Sequence, residues 1–207
     1  MARLLLVRHG ESTWNAAGRW QGWADPPLTE LGRIQAEAAA AAAAPVDAVV
    51  SSDLRRALVT AEVMAALLEL HVDGVQVEPG LRERDVGDLT GLTRAEIEER
   101  WPGVLSDTAA SIARDRRFGE TVPELSERVL AALRRLAVEH AGRRVLVITH
   151  GGVVRNLERE LGIDPMPLPN LGGREIAVDP GTGAIVPGDR VVLLSPEDVP
   201  VTVPKQL

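Results

Sequence analysis

The stretch Leu4-Leu5-Leu6-Val7-Arg8-His9-Gly10-Glu11-Ser12 runs four apolar residues straight into an arginine, a histidine and a glycine. A strand that is apolar at every position, not at alternate ones, belongs to a sheet covered on both faces. Its abrupt end in two groups that seek charge or hydrogen bonds marks where the chain leaves the core. The arrangement recurs in the last third of the chain, where Val145-Leu146-Val147-Ile148 is followed by Thr149-His150-Gly151-Gly152. Two of the four histidines therefore stand where an apolar run stops and a glycine begins.

With these two stretches included, apolar runs fall at residues 3–7, 46–50, 75–78, 144–149, 174–178 and 190–194, with helical patterns in most intervals. That alternation predicts an α/β fold, a three-layer sandwich with a mostly parallel central sheet flanked by helices. Thr29 is expected to cap a helix running through the alanine tract to Ala44, where Pro45 prevents continuation. Ser52 or Asp53 is expected to cap the next helix, with Leu54, Ala57, Leu58, Ala61, Ala65 and Leu68 on its core face. Thr93 and Glu96 form a capping box, a longer helix is expected at 123–140, and another begins near Gly152. Pro180-Gly181-Thr182-Gly183 and Pro187-Gly188-Asp189 read as turns joining the last strands. Residues 1–207 read as one domain, within which 84–121 form a short helical and loop insertion over the site.

The balance of 45% hydrophobic and 26% charged residues in 207 is that of a folded chain able to bury a proper core. A formal net charge of −7 gives no general attraction to nucleic acid or to an anionic membrane. Any anion must then be held by a local cluster of positive charge. The chain has no cysteine, which removes disulfides, thiolate chemistry and cysteine-ligated metal together. The N-terminal apolar run is too short for a signal-peptide core or a membrane span, so a cytoplasmic location is expected. Nothing in the sequence sets an oligomeric state.

In open α/β sheets, ligands bind outside the carboxyl ends of the strands. His9 and His150 lie at such ends, each followed by a glycine that lets backbone approach a ligand closely. Arg8 offers a guanidinium, which matches phosphate or carboxylate with paired hydrogen bonds. The Arg55-Arg56 pair opens the helix after the strand at 46–50 and so emerges on the same rim. Ser12, Asn15 and the backbone amides after His150 supply further donors, giving an oxyanion pocket inside an acidic protein. His71 and His140 have no such context. His140 falls near a helix C-terminus, where the helix dipole favours it.

The block Arg8-His9-Gly10-Glu11-Ser12-Thr13-Trp14-Asn15 resembles the signature of the histidine phosphatase superfamily, which includes phosphoglycerate mutases and many small phosphatases. Further matching blocks follow in family order. They are Gly18-Arg19-Trp20-Gln21-Gly22-Trp23 with Leu28-Thr29-Glu30-Leu31-Gly32, and Ser51-Ser52-Asp53-Leu54-Arg55-Arg56-Ala57 with Thr60-Ala61. Leu81-Arg82-Glu83-Arg84-Asp85-Val86-Gly87 and Val147-Ile148-Thr149-His150-Gly151-Gly152 complete the set. The resemblance implies that His9 is the nucleophile that takes a phosphoryl group, that Arg8, Arg56 and His150 hold its oxygens, and that Glu83 is the proton donor. It selects Arg56 over Arg55, and it implies further phosphate or substrate contacts from Asn15, Gln21, Gly22, Arg94 and Gly151. It calls for no metal and no cofactor, and the chain has no GxxxxGK[ST] loop.

Within the family, Gln21 stands where mutases usually have threonine, and Val86 where they usually have tyrosine. The segment between Gly91 and Gly119 is short compared with mutases, and Gly119-Glu120-Thr121 resembles a phosphatase-type segment. The expectation is a phosphatase acting on a small phosphorylated metabolite. The alternatives are a phosphoglycerate mutase and a noncatalytic phosphoester-binding module. Arg94 keeps the mutase alive, because mutases carry a lysine there. Asp88-Leu89-Thr90-Gly91 departs from the family's acidic-Trp-acidic-Gly pattern. Arg114, Arg116 and Arg117 read as a solvated basic loop, with a grip on a substrate carboxylate as the other reading. Glu83 argues against a mere binding module, since a phosphate dianion gains nothing from a nearby carboxylate.

Overall fold

A computed structural model of the chain describes residues 1–70, 74–105, 115–195, 197 and 199–202; His71 and Arg114 lie outside the described residues. Six strands form one sheet: β1 (Ala2–Arg8), β2 (Ala48–Ser51), β3 (Gln76–Val77), β4 (Arg144–Thr149), β5 (Gly172–Val178) and β6 (Ile185–Val192). Their order across the sheet is β3-β2-β4-β1-β5-β6. The four strands from β3 to β1 run parallel, whereas β5 pairs antiparallel with both β1 and β6.

Side chains alternate between the faces of a strand, so an all-apolar strand feeds two cores. Leu4 and Leu6 join Val145 and Val147 on one face, beneath α5 (Val122–Glu139) and α6 (Gly151–Glu160). Leu5 and Val7 join Leu146 and Ile148 on the other, beneath α2 (Glu30–Ala43) and α3 (Arg55–Leu67). The second layer uses Ala36, Ala39, Ala40 and Ala43 from one helix and Ala57, Ala61 and Ala65 from the other. Small side chains let these two helices lie close together and close to the sheet. Met64 fills the space that remains. A third, smaller apolar cluster gathers Val86, Leu89, Leu92, Ile97 and Phe118 around the short α4 (Arg94–Arg100) and its flanking loops. A single turn, α1 (Thr13–Ala16), follows the first strand end.

Two local expectations differ from the structure. The N-cap of α3 is Leu54, which makes no side-chain cap. Ser52 instead bonds His150, and Asp53 pairs with Arg82 in a two-point contact. The first turn of α3 is served from a distance by Asp25, whose Oδ1 accepts from the Arg55 amide at 2.7 Å. Pro187-Gly188-Asp189 is not a turn but lies inside β6. An edge strand tolerates proline because one row of its backbone groups faces solvent, and a register shift between Arg174 and Ile176 in β5 accommodates the irregularity. The remaining capping expectations match the structure, with Thr29 capping α2 and Thr93 and Glu96 forming the box on α4.

The start of α2 presses on the loop that carries His9. A Cβ on Gly32 would stand 2.1 Å from the Glu11 carbonyl oxygen, and one on Gly10 would stand 2.4 Å from that of Gly32. Alanine normally gains about 1 kcal/mol over glycine inside a helix, but forcing backbone apart costs about 1–3 kcal/mol or more. Gly32→Ala is therefore expected to destabilise the protein in urea denaturation. Gly181→Ala, whose Cβ would meet nothing nearer than 3.5 Å, should stay within about 0.5 kcal/mol of the parent.

Candidate active site

Parallel pairing sets Arg8 directly opposite Thr149 across β1 and β4. His9 and His150 each follow by one residue, and the His9 amide donates to the Thr149 carbonyl at 3.0 Å. Their rings consequently meet edge to face with centroids 5.2 Å apart. Both are buried, as are Arg8 and Arg56.

The His9 ring is fixed at both nitrogens. Nδ1 lies 2.6 Å from the Gly10 carbonyl, which can only accept, so Nδ1 carries the proton and Nε2 keeps its lone pair. Arg56 Nε donates to that Nε2 at 3.2 Å. The other ends of the Arg56 guanidinium donate to the carbonyls of Ala24 and Gly22 at 2.7 and 2.9 Å. Gly22 is at φ +48°, in the left-handed region, and a Cβ there would stand 2.7 Å from Val86 Cγ2. Arg55, by contrast, is exposed. Of the neighbouring pair, it is Arg56 that faces the strand ends.

On the far side, Arg8 Nη1 donates to the Leu168 and Thr202 carbonyls. His150 Nε2 bonds Ser52 Oγ at 2.9 Å, while its Nδ1 is buried without a partner. Asn15 and Ser12 close a reciprocal capping box on α1, which occupies Asn15 Oδ1 and leaves its amide nitrogen for the cavity. Gln21 Oε1 accepts from the Ser12 hydroxyl, leaving the Gln21 amide nitrogen likewise.

Glu83 comes from the loop after the 3-10 turn Pro79–Leu81. Its two carboxyl oxygens accept from the amides of Arg84 and Gly152 at 2.8 and 3.0 Å. Its own carbonyl accepts from Trp23 Nε1 at 2.7 Å. Arg82 and Arg128 lie against the Trp23 ring, at 5.0 and 6.0 Å from its centroid, and steady that contact. A Cβ at Gly152 would come within 2.0 Å of Glu83 Oε1, so a larger residue there would push the carboxylate out of this position.

These groups meet at one cavity of about 320 Å³. Arg8, His9, Asn15, Gln21, Gly22, Arg56, Glu83, Arg94 and Gly151 all line it. His150 does not; it stands behind, against the His9 ring. Sequence reasoning, which counted the Gly152 amide among the donors after His150, missed Arg155 on the same wall. The available signal was spacing, since Arg155 lies four residues after Gly151 on α6 and shares its face. Arg116 and Arg117 are not on the wall. They pair with Glu124 and Asp115 at the surface.

Burial governs the electrostatics. Desolvation first, then the charges of Arg56 and Arg8, hold His9 well below the ordinary imidazole value of 6.5. Desolvation and then Arg56 do the same to His150. Desolvation also pulls Arg8 down to about 9 and Arg56 to about 10, which leaves both charged at neutral pH. The site thus sets a neutral nucleophilic nitrogen among poorly solvated cations. That combination suits a phosphate ester, whose charged oxygens the cations attract and whose phosphorus the nitrogen can reach. Among the described residues, no group of three or more histidine, aspartate and glutamate side chains is placed to hold a metal ion. No described helix is long and apolar enough to cross a membrane.

Comparison with known proteins shows the family of the chain. Over 161 residues the chain is 42% identical to the metal-independent phosphoserine phosphatase of Arabidopsis thaliana, a match that takes in 75% of this chain and 66% of that protein. It is 35% identical over 187 residues to the 2,3-bisphosphoglycerate-dependent phosphoglycerate mutase of Methylorubrum extorquens (strain PA1), covering 86% of each. Bacillus stearothermophilus YhfR superposes with a TM-score of 0.79 at 30% identity, over 91% of this chain and 96% of that one. The family model of the histidine phosphatase superfamily (branch 1) matches residues 4–178. The chain therefore belongs to the histidine phosphatase superfamily, in its first branch.

Proposed function

We propose that this protein is a phosphatase that hydrolyses a small-molecule phosphate monoester through a phosphohistidine on His9. The observation that carries the reading is the His9 ring itself: Nδ1–H tied to the Gly10 carbonyl at 2.6 Å, and the Nε2 lone pair turned toward the buried Arg56 guanidinium. In the first step Arg56 Nε shifts its hydrogen bond from His9 Nε2 to a phosphoryl oxygen, the freed lone pair attacks phosphorus, and the ester P–O bond breaks with its electrons on the leaving oxygen. Glu83 gives that oxygen a proton. Each Glu83 oxygen accepts one amide hydrogen, so a lone pair remains free on either to carry it. In the second step a water oxygen attacks phosphorus, the Glu83 carboxylate takes the water's proton, and the N–P bond breaks to return His9.

Phosphoryl transfer spreads negative charge over three equatorial oxygens. Arg8, Arg56 and His150 are the groups proposed to meet them, His150 from behind the His9 ring through an Nδ1–H, with its Nε2 accepting from the Ser52 hydroxyl; Asn15, Gln21, Gly22, Arg94 and Gly151 are proposed as neighbouring contacts. The proposed cover is the segment 84–121, which contributes Arg84, Val86, Arg94 and Leu105 to the cavity wall. Two observations favour hydrolysis over mutase chemistry. Arg116 and Arg117 are engaged by acidic neighbours at the surface, and the metal-independent relative is named a phosphatase. The substrate class is a small phosphorylated metabolite met in the cytoplasm.

Phosphate release from a general phosphomonoester checks the assignment. His9→Ala should lower the rate by on the order of 10³-fold or more, and Glu83→Gln by roughly 10²–10⁴. Full activity in His9→Ala would contradict the mechanism. Label exchange between bisphosphoglycerate and phosphoglycerate, faster than phosphate release, would make the protein a mutase.

The depressed histidines give a stability signature whose sign is fixed. Unfolded imidazole takes a proton near 6.5, whereas folded His9 and His150 resist it to lower pH. Between those values the unfolded state binds more protons, so stability is full above pH 6.5 and is lost as pH falls toward the folded values. Urea denaturation should give a smaller unfolding free energy at pH 5.5 than at 7.5. The acid limb of kcat/KM should fall below pH 6.5 for the same reason.

A further inference from the structure

The mechanism accounts for the cations at the strand ends but not for the wall that the leaving group would face. Arg155, one turn into α6, lines the cavity, yet its Nη1 is buried without a hydrogen-bond partner. It lies beside Gly151, whose Cβ would stand 2.9 Å from Nη1 and 3.5 Å from Arg8 Cδ. The charge of Glu83 bears on it most among the acidic groups, but the two form no ion pair within 4.0 Å. Two other side chains of the same cavity carry buried, unmatched polar atoms. Trp20 Nε1 has no acceptor, and Asn156 Oδ1 has no donor, although Asn156 Nδ2 is held by Ser126 Oγ at 2.9 Å.

Native proteins satisfy buried polar groups, so three orphans around one cavity mark the outline of a ligand. They comprise a cationic donor, a neutral donor and an acceptor. The apolar side chains of Val86, Val122 and Leu125 line the same cavity and exclude water there. A guanidinium with a free edge matches a planar carboxylate in two-point contact. Arg8 gives two of its five N–H donors to backbone carbonyls and Arg56 two, with a third on His9, whereas among the described residues no carbonyl engages Arg155.

Resting on the phosphatase reading, we infer that Arg155 is a specificity-determining residue, which binds a carboxylate on the leaving group of a phosphorylated hydroxy or amino acid. The Asn156 oxygen then accepts from a hydroxyl or ammonium on the same leaving group. The substrate is thus an ester whose alcohol is itself an acid, and the cavity holds its two anionic ends on separate arginines.

O-phosphoserine and O-phosphoethanolamine differ only by a carboxylate, which makes them a suitable pair of probes. Binding of each to the His9→Ala protein is measured by titration calorimetry, so that turnover plays no part. Phosphoserine should bind at least about tenfold more tightly, the gain of a charge-assisted contact. Adding Arg155→Met should bring the ratio to near one, and Arg155→Lys, which keeps charge but not the fork, should leave an intermediate ratio. A ratio near one in His9→Ala itself, or one unchanged by Arg155→Met, overturns the inference. So does an equal loss for both ligands and for inorganic phosphate, which would place Arg155 on the phosphoryl group. Failure of the wild type to release phosphate from any ester, with the binding preference intact, would instead bring down the phosphatase reading alone.

Discussion

The site depends on one constraint, the in-register parallel pairing of β1 with β4 at the centre of the sheet. With Arg8 opposite Thr149, the next residue on each strand is a histidine, and the two rings have nowhere to go but against each other. A slip of one residue would turn every side chain of a strand to the other face. Here that would exchange the leucine and valine sets beneath α5 and α6 with those beneath the alanine helices. The core thus fixes the register, and the register fixes the spacing of the catalytic candidates. Catalytic precision is obtained from apolar packing that touches no substrate.

The same burial supplies the chemistry. An imidazole free in water is half protonated near pH 6.5 and would be a poor nucleophile in acid. Removing water and adding two guanidinium neighbours keeps His9 neutral, while the Gly10 carbonyl selects which nitrogen bears the proton. The clustering of Arg8, Arg56 and Arg155 is unfavourable by itself, since each is poorly solvated and two repel a third. On the phosphatase reading, a bound dianion offsets that repulsion. An acidic protein with a net charge of −7 can thus hold phosphate without attracting polyanions over its whole surface.

Much of this was legible in the sequence, for identifiable reasons. The central strands are buried on both faces, so LLLV and VLVI stand out from any window of their length. Their polar ends are local signals too. The choice between Arg55 and Arg56 was not local, because it is made by carbonyls at Gly22 and Ala24 and by Asp25, all in a loop roughly thirty residues earlier. Ser52 misled because a serine hydroxyl caps helices and also bonds imidazole, and only the tertiary position of His150 decides which. Pro187 misled because proline in a strand is admissible only at an edge, and edge position is a property of sheet order. Arg155 went unnoticed as an ordinary helical arginine, until the cavity showed that it shares a face with Gly151.

The central claim is that the register of two strands aims His9 Nε2 at phosphorus. Rapid acid-free quenching during turnover, followed by peptide mass spectrometry and phosphorus NMR of the intact phosphoprotein, locates the transferred group. The account predicts a phosphoryl group on His9, bonded through Nε2 and chemically distinct from an Nδ1 adduct. Phosphorylation of His150 or of any other residue during turnover, or Nδ1 attachment on His9, would contradict it.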